Sequence, residues 1–299
     1  MTSQQQHPLV SIITVNFNQA DVTRDLLRSL QNITYPNVEV FVVDNGSSSD
    51  DADRLPQEFP NIQYIKTGKN LGFAGGNNVA IEKAKGDFIL LINNDVEVVP
   101  GFLEPLVQVF RDHPKAGFVS PKIVYHNSGE RIQYAGSSRI NPFTVRGTRT
   151  GYMLHDDGAF DHIVKTELGH GACLLVSRDV IHSIGALPEF YFLYFEEHDW
   201  TERGKEKGFE VYYAGTSKVY HKESVSTGKN SPLKTYYLAR NRILFMKRNT
   251  TGFVRVIAFI YMMLVAVPKN ALQLLFKSEF ENFKAYLRGV SWHFRKTTA

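Results

Sequence analysis

Val38-Glu39-Val40-Phe41-Val42-Val43 runs directly into Asp44-Asn45-Gly46-Ser47-Ser48-Ser49-Asp50. The first six residues are β-rich and nearly all apolar, the pattern of a strand covered on both faces of its sheet. The next seven form a polar turn at its carboxyl end. The same unit recurs on either side. Leu9 to Val15 reads as a strand, and Asp21 to Leu30 as a helix with Val22, Leu26 and Leu30 on one stripe. Ile62 to Ile65 reads as a third strand, Asn77 to Lys85 as a helix, Phe88 to Ile92 as a fourth strand and Pro100 to Arg111 as a helix. Strands alternating with helices predict an α/β fold, a mostly parallel sheet with helices on both faces. Ligands in such sheets sit beyond the carboxyl ends of the strands. Polar clusters fall at those ends: Asn16-Phe17-Asn18, Asp44-Asn45-Gly46-Ser47 and Asn93-Asn94-Asp95.

Past residue 121 the pattern breaks up. Residues 122–168 are interrupted by Gly, Ser, Asn, Asp and His, which predicts loops and short strands. Gly171 to Ser177 is again strand-like, Glu196 to Lys207 a polar helix, and Glu210 to Tyr213 a short strand before a loop carrying His221. From residue 233 the character changes. That stretch holds 12 Lys+Arg against 2 Asp+Glu, leaving 22 basic and 28 acidic residues of the chain's 34 and 30 for the rest. A mildly acidic body thus carries a basic tail, which seeks phosphates on nucleic acid or on a membrane surface. Within the tail, Val256 to Pro268 is uncharged. It is short of the roughly 20 apolar residues of a spanning helix, so it reads as a core helix, a re-entrant segment or an in-plane membrane helix. Lys277 to Lys296 mixes aromatic and basic residues at helical spacing, which suits a bilayer interface.

Composition narrows the classes further. Of the 299 residues, 43% are hydrophobic and 21% charged, enough for a buried core. The single cysteine, Cys173, excludes an internal disulfide framework and a cysteine zinc cluster. Met1 to His7 lacks the basic and apolar regions of a secretory signal. The expected organisation is a polar tail over 1–8, one domain over 9–232 with halves 9–121 and 122–232, and a basic helical region over 233–299.

Four constellations carry candidate chemistry. Asp44 can accept from a ribose hydroxyl or a base N–H, or cap the next helix in an Asx turn. Lys69-Asn70-Leu71-Gly72-Phe73-Ala74-Gly75-Gly76 leads into a helix. Its backbone N–H groups can face an anion, or its glycines can serve close packing. It matches neither the dinucleotide fingerprint nor a Walker loop. Asp95, flanked by Asn93 and Asn94, is a candidate ligand for Mg²⁺ or Mn²⁺, or a plain strand-end turn. Glu196-Glu197-His198-Asp199 follows a run of aromatics. A carboxylate there can take a proton from a sugar hydroxyl, or the acids can simply favour the helix dipole. Asp199 can pair with Arg203 one turn on.

Taken together and in order, these stretches resemble the inverting glycosyltransferases of family 2, with the GT-A fold. The nearest branch is that of rhamnosyltransferase-like and galactofuranosyltransferase-like enzymes. The resemblance rests on residues 10–18, 43–47, 70–77, 91–95, 171–173 and 192–199, with His221. It implies transfer of a sugar, best matched by rhamnose on a thymidine diphosphate, to a hydroxyl of a lipid-linked bacterial surface polysaccharide such as an O-antigen or cell-wall glycan. The alternatives are a UDP-sugar transferase of the same fold and a non-catalytic glycan or sugar-nucleotide binder. Asn16, Asp44, Asn70, Gly72, Asn93 and Asn94 would bind the nucleotide sugar. Asp95 and His221 would hold a divalent Mg²⁺ or Mn²⁺, with Asn93 standing where the family's D-x-D motif has its first Asp. Glu197 takes the general-base position, where an Asp is usual, with Glu196 and Asp199 as rivals. The implied acceptor is glycan or polyprenyl-diphosphate-linked. The implied location is cytoplasmic, peripheral on the inner face of the plasma membrane. A nucleic-acid partner is not expected, since no reader motif accompanies the basic tail, and oligomeric state stays open. A processive synthase is disfavoured by the absence of several spans and of a Q-x-x-R-W motif.

Overall fold

The computed structural model describes residues 7–223 and 231–295. Most of the polar tail expected over 1–8, and the last residues from Lys296, lie outside the described residues. Ten strands join in one sheet. They are β1 (Val10–Asn16), β2 (Val38–Asp44), β3 (Ile62–Lys66), β4 (Phe88–Ile92), β5 (Val96–Val98), β6 (Ala116–Tyr125), β7 (Ile132–Tyr134), β8 (Ile163–Thr166), β9 (Cys173–Ser177) and β10 (Glu210–His221). The main path runs β3-β2-β1-β4-β9-β6-β10-β5, with β7 on β6 and β8 on β10.

The expected parallel order holds across β3, β2, β1 and β4. Beyond β4 the sheet is mixed: β9 is antiparallel to β4 and β6, whereas β6 and β10 are parallel. Residues 126–172 contain no helix, so the strand-helix alternation that enforces parallel pairing is missing there. Side chains alternate between two cores. Ile12, Val42 and Leu90 pack with Leu26 of the helix Ala20–Leu30 and Leu106 of the helix Leu103–Asp112. Ile13, Val43 and Leu91 pack with Ala80 of the helix Gly72–Ile81 and Trp200 of the helix Glu196–Glu206. This is the period-two signature of strands covered on both faces.

Two sequence expectations are revised. The helix expected over Asn77–Lys85 begins at Gly72, inside the glycine segment. Its first N–H groups already have partners: Gly72 N donates to Asn70 Oδ1 (2.8 Å) and Phe73 N to the Phe192 carbonyl (2.7 Å). The glycines serve close approach. A Cβ on Gly72 would stand 2.3 Å from the Phe192 oxygen, and one on Gly76 3.0 Å from Val15. His221 is not in a loop. It is the last residue of β10, held between Tyr125 of β6 and Val96 of β5.

From residue 231 the chain is helical. Ser231 Oγ caps the helix Pro232–Asn249 by accepting from Lys234 N. The long helix Gly252–Phe276 follows, α-helical except for a π turn at Met262–Ala266, and then the helix Phe280–Ser291. Ala258, Met262 and Ala266 form its buried stripe, joined by Ile243, Met246 and Tyr286 in a third core. The short uncharged run seen in the sequence is therefore the middle of a 25-residue helix with mean hydropathy 1.7, long and apolar enough to cross a membrane by length and composition. Arg255 and Lys269 do not end it, because both are good helix formers. Only 17% of its most apolar window is buried. The chemical boundary at 232 is not a structural one. Arg240 and Asn241 bind the loop before Glu196, and Tyr191 of that loop enters the third core.

Gly72 has φ +75° and faces the Phe192 carbonyl. Gly72→Ala should lower unfolding free energy by about 2–4 kcal/mol, from left-handed strain plus overpacking. Urea denaturation checks this. An unchanged midpoint would mean that the segment is not seated on Phe192.

Candidate active site

The register of the parallel strands sets up the site. Asn16 pairs with Asp44 and Asp44 with Lys66 at one edge of the sheet. The turn after β4 lies on that edge. Ile92 pairs with Cys173, so Asn93-Asn94-Asp95 meets Gly171-Ala172, and Asn93 N donates to the Ala172 carbonyl (3.0 Å).

Not every expected binder faces outward. Asn16 is fully buried. Its amide donates to Ser47 Oγ and Asp50 Oδ2 and accepts from Thr23 Oγ1, which in turn accepts from Asn94 Nδ2 (3.1 Å). Asn16 and Asn94 thus brace the turns from beneath instead of reaching a ligand with their side chains. Gly72 is likewise structural: its N–H is taken by Asn70 and its carbonyl accepts from Asn45 Nδ2 (3.0 Å). Asn45 also accepts from Leu71 N, and so fastens the glycine segment to the end of β2. Asn70 is exposed and Asn93 half-buried at the same edge. Asp44 accepts from Ser47 N (3.2 Å) with one oxygen, the Asx-turn geometry.

Asp95 and His221, separated by 126 residues in sequence, meet at 3.0 Å (Oδ1 to Nε2). On the far side of the ring, His221 Nδ1 lies 2.7 Å from Gln133 Oε1. With Gln133 accepting the Nδ1 proton, Nε2 turns its lone pair on the Asp95 carboxylate. In that tautomer the ring nitrogen and the carboxylate are two ligands of the kind a divalent cation takes; in the other, Nε2–H donates to Asp95. Neighbouring ligands of an octahedral ion at about 2.1 Å stand about 3.0 Å apart, so the pair fits Mg²⁺ or Mn²⁺. No group of three His, Cys, Asp or Glu side chains suited to a metal occurs among the described residues. Water and diphosphate oxygens would complete the shell, as is usual for these ions.

The acidic cluster sits behind a strained loop. Phe192, Tyr194 and Phe195 all have positive φ (65°, 70° and 76°), each costing about 1–3 kcal/mol. Asn241 Nδ2 donates to the carbonyls of Tyr191, Leu193 and Tyr194, and Arg240 Nη2 to those of Phe190 and Tyr191. This clamp separates the acids into different roles. Asp199 is buried and accepts from Tyr191, Arg248 and Asn249, with Arg203 at 3.4 Å. It ties two helices together. Glu196 is buried, and burial followed by the Glu197 charge raises its pKa well above the usual carboxylate range. Burial also opposes ionisation of Glu197, but the adjacent His198, 3.2 Å away, outweighs it and holds Glu197 low. Burial opposes charge on His198 too, yet Glu197 raises it.

Glu197 and the Asn93–Asp95 turn both border the Gly171-Ala172 segment. A Cβ on Gly171 would lie 3.2 Å from Glu197 Oε1, and Gly171 borders the Asn93–Asp95 turn. His170 lies between, its ring 6.4 Å from that of His221. Burial first, then the His221 charge, holds His170 neutral with a pKa lowered to about 3. Its Nδ1 accepts from Ala172 N (3.2 Å), fixing the turn. Sequence reasoning missed His170, Gln133, Arg240, Asn241 and Asn45. Only His170 carried a local signal, the glycines at 169 and 171 that let side chains approach it.

The model of the glycosyl transferase family 2 matches residues 11–184. The chain belongs to this family. The transferase resembles N-acetylglucosaminyl-diphospho-decaprenol L-rhamnosyltransferase of Mycobacterium tuberculosis, with 25% identity over 83% of this chain and 87% of that protein. Protein y4gI of Sinorhizobium fredii is 27% identical over 81% of the chain, which spans only 27% of that longer protein. Among solved structures, the mannosyltransferase PcManGT of Pyrobaculum calidifontis, in complex with GDP-mannose and Mn²⁺, superposes with TM-score 0.60 and 15% identity. The match covers 99% of this chain and 89% of that one. The fold of the transferase is thus the GT-A fold.

The His198–Glu197 pair has a pH signature. His198 is raised, so its contribution is complete below about pH 6.5 and fades as pH climbs through the folded value. Glu197 is lowered, so its contribution is complete above about pH 4.3 and fades at lower pH. The stability lost in His198→Gln should therefore peak between about pH 4.5 and 6.5 and shrink on both sides. Thermal melts across that range test this, and a pH-independent difference would remove the ion pair.

Proposed function

We propose that this chain is an inverting, metal-dependent transferase. It moves rhamnose from its thymidine diphosphate to a hydroxyl of a lipid-linked surface glycan, at the cytoplasmic face of the membrane. The observation that carries the reading is the Asp95–His221 pair (3.0 Å) on a turn that meets Gly171-Ala172, with Glu197 against Gly171. A leaving diphosphate and an acceptor hydroxyl need opposite chemistry close together, and a cation-holding pair and an ionised carboxylate border one segment here. The donor choice follows the mycobacterial relative, whose name also specifies a diphospho-decaprenol acceptor.

The roles follow from the local chemistry. Asp44 accepts from the base or ribose at the open end of β2. Asp95 and His221 would hold a divalent cation, which when bound supplies Lewis-acid neutralisation of the departing diphosphate. Glu197 is ionised, oriented by His198, and accepts the proton of the attacking hydroxyl. Glu196 keeps its own proton, and Asp199 is consumed by Arg203, Arg248, Tyr191 and Asn249. Attack from the face opposite the diphosphate inverts the anomeric centre in one displacement, with no covalent enzyme intermediate. The long apolar helix supports a seat at a membrane. Phe253, Val256, Ile260 and Leu264 are exposed along it, and Arg255 and Lys269 are exposed on the same helix. An in-plane seat lets both charges reach the headgroups, at about 1 kcal/mol per basic residue near anionic lipid.

Glu197→Gln should reduce kcat by about 10²–10⁴-fold with donor KM little changed. Transfer at the parental rate would dismiss Glu197 as base. In a donor-hydrolysis screen, dTDP-rhamnose should be cleaved fastest and only with Mn²⁺ or Mg²⁺. Asp95→Ala should lower the affinity for Mn²⁺ about tenfold or more. Cleavage of another donor, or an unchanged Mn²⁺ titration, would overturn the donor or the metal assignment respectively.

A further inference from the structure

A cavity of about 450 Å³ opens between the helices Pro232–Asn249, Gly252–Phe276 and Phe280–Ser291. None of the active-site residues lines it. Ile243 and Met262 give it an apolar floor, while Lys234, Arg242 and Lys277 bring positive charge against the single acid Glu279. Arg242 is the informative residue. Its Nη2 donates to the Thr144 carbonyl (2.5 Å), but its Nε is buried with no hydrogen-bond partner. The groups acting on its charge, after burial itself, are Arg146, Tyr286 and Tyr261, none of them a carboxylate. A buried, unpartnered guanidinium N–H whose main charged influence is a second arginine attracts an anion. Close to the cavity, Leu272 and Phe276 are 52% and 86% exposed. A small soluble anion would leave this apolar surface and the cavity floor unused. An amphiphile covers both.

We infer that this cavity holds the phosphate of an anionic membrane phospholipid, with Arg242 and Lys277 on the phosphate and the acyl chains running out past Leu272 and Phe276. The inference rests on the membrane seat proposed above and adds to it a defined lipid site. It makes attachment depend on headgroup identity, not on apolar burial alone.

The full chain is tested with two probes. The first is monomeric dihexanoyl phosphatidylglycerol, with dihexanoyl phosphatidylcholine, inorganic phosphate and a short-chain isoprenyl diphosphate as comparisons. The second is flotation on phosphatidylcholine vesicles with and without phosphatidylglycerol. Phosphatidylglycerol alone should raise the melting temperature, by mass action on the folded state. Arg242→Gln and Lys277→Gln should each weaken that response roughly tenfold. Lys277 is exposed, so its variant reports binding even if Arg242→Gln is unstable. An equal shift with inorganic phosphate would make the ligand a free anion and overturn the lipid. Displacement by the isoprenyl diphosphate would make the cavity an acceptor site and overturn it likewise. If both variants float with the parental dependence on phosphatidylglycerol, the cavity assignment falls and the membrane seat stands. If the parent does not float at all, both fall.

Discussion

The amide of Asn241 holds the strained loop that precedes Glu197. One side chain donates to the carbonyls of Tyr191, Leu193 and Tyr194, and the Arg240 guanidinium beside it holds Phe190 and Tyr191. The loop they hold contains three non-glycine residues in the left-handed region. Such a conformation does not persist by local preference; the surroundings must over-determine it. Here the strain turns the chain sharply enough to start the helix Glu196–Glu206 with Glu197 directed at Gly171. Without the clamp, the loop would relax toward ordinary backbone angles and carry the carboxylate away from Gly171.

The position of Gly171-Ala172 is set by strand pairing. Antiparallel β9 enters the sheet beside β4, so the start of one strand lies against the end of the other. That single change of direction brings Gly171-Ala172 to the Asn93–Asp95 turn. β10 and β5 then deliver His221 next to Asp95. The mixed half of the sheet is therefore what makes the site. A continued parallel order would have sent the amino end of β9 to the far edge, and the residue that Glu197 packs on with it.

Local patterns were legible in the sequence, and distant partnerships were not. Apolar runs ending in Asp44 and in Asn93-Asn94-Asp95 marked the binding edge because a strand and its following turn are contiguous. Glu196-Glu197-His198-Asp199 marked itself by density. The division of labour among those acids was hidden, since it depends on Arg248, Asn249 and Tyr191 for Asp199 and on the exclusion of water for Glu196. Gln133 is 88 residues from His221, and Asn241 is 47 to 50 residues from its carbonyls. Nothing in either neighbourhood announces the pairing. Asn16 and Asn94 differ from the expectation for a related reason: an amide at a strand end serves a ligand or an internal network equally well, and the distant partners Ser47, Asp50 and Thr23 decide which.

The helix Pro232–Asn249 joins the two ends of the molecule's work. Successive residues of a helix turn by about 100°, so Asn241, Arg242 and Ile243 face three ways. Asn241 holds the strained loop, Arg242 reaches Thr144, and Ile243 joins the core beneath the long apolar helix. The basic composition of this stretch suggested a surface tail, yet its charges are spent unequally. Arg240 and Arg248 are bound to the catalytic half, while Arg242 turns toward the cavity. A rigid rod with the strained loop on one side and the exposed apolar helices on the other cannot shift on one side without moving the other. The apolar helices are thus part of the scaffold that holds the Tyr191–Phe195 loop and, through it, the start of the helix that carries Glu197.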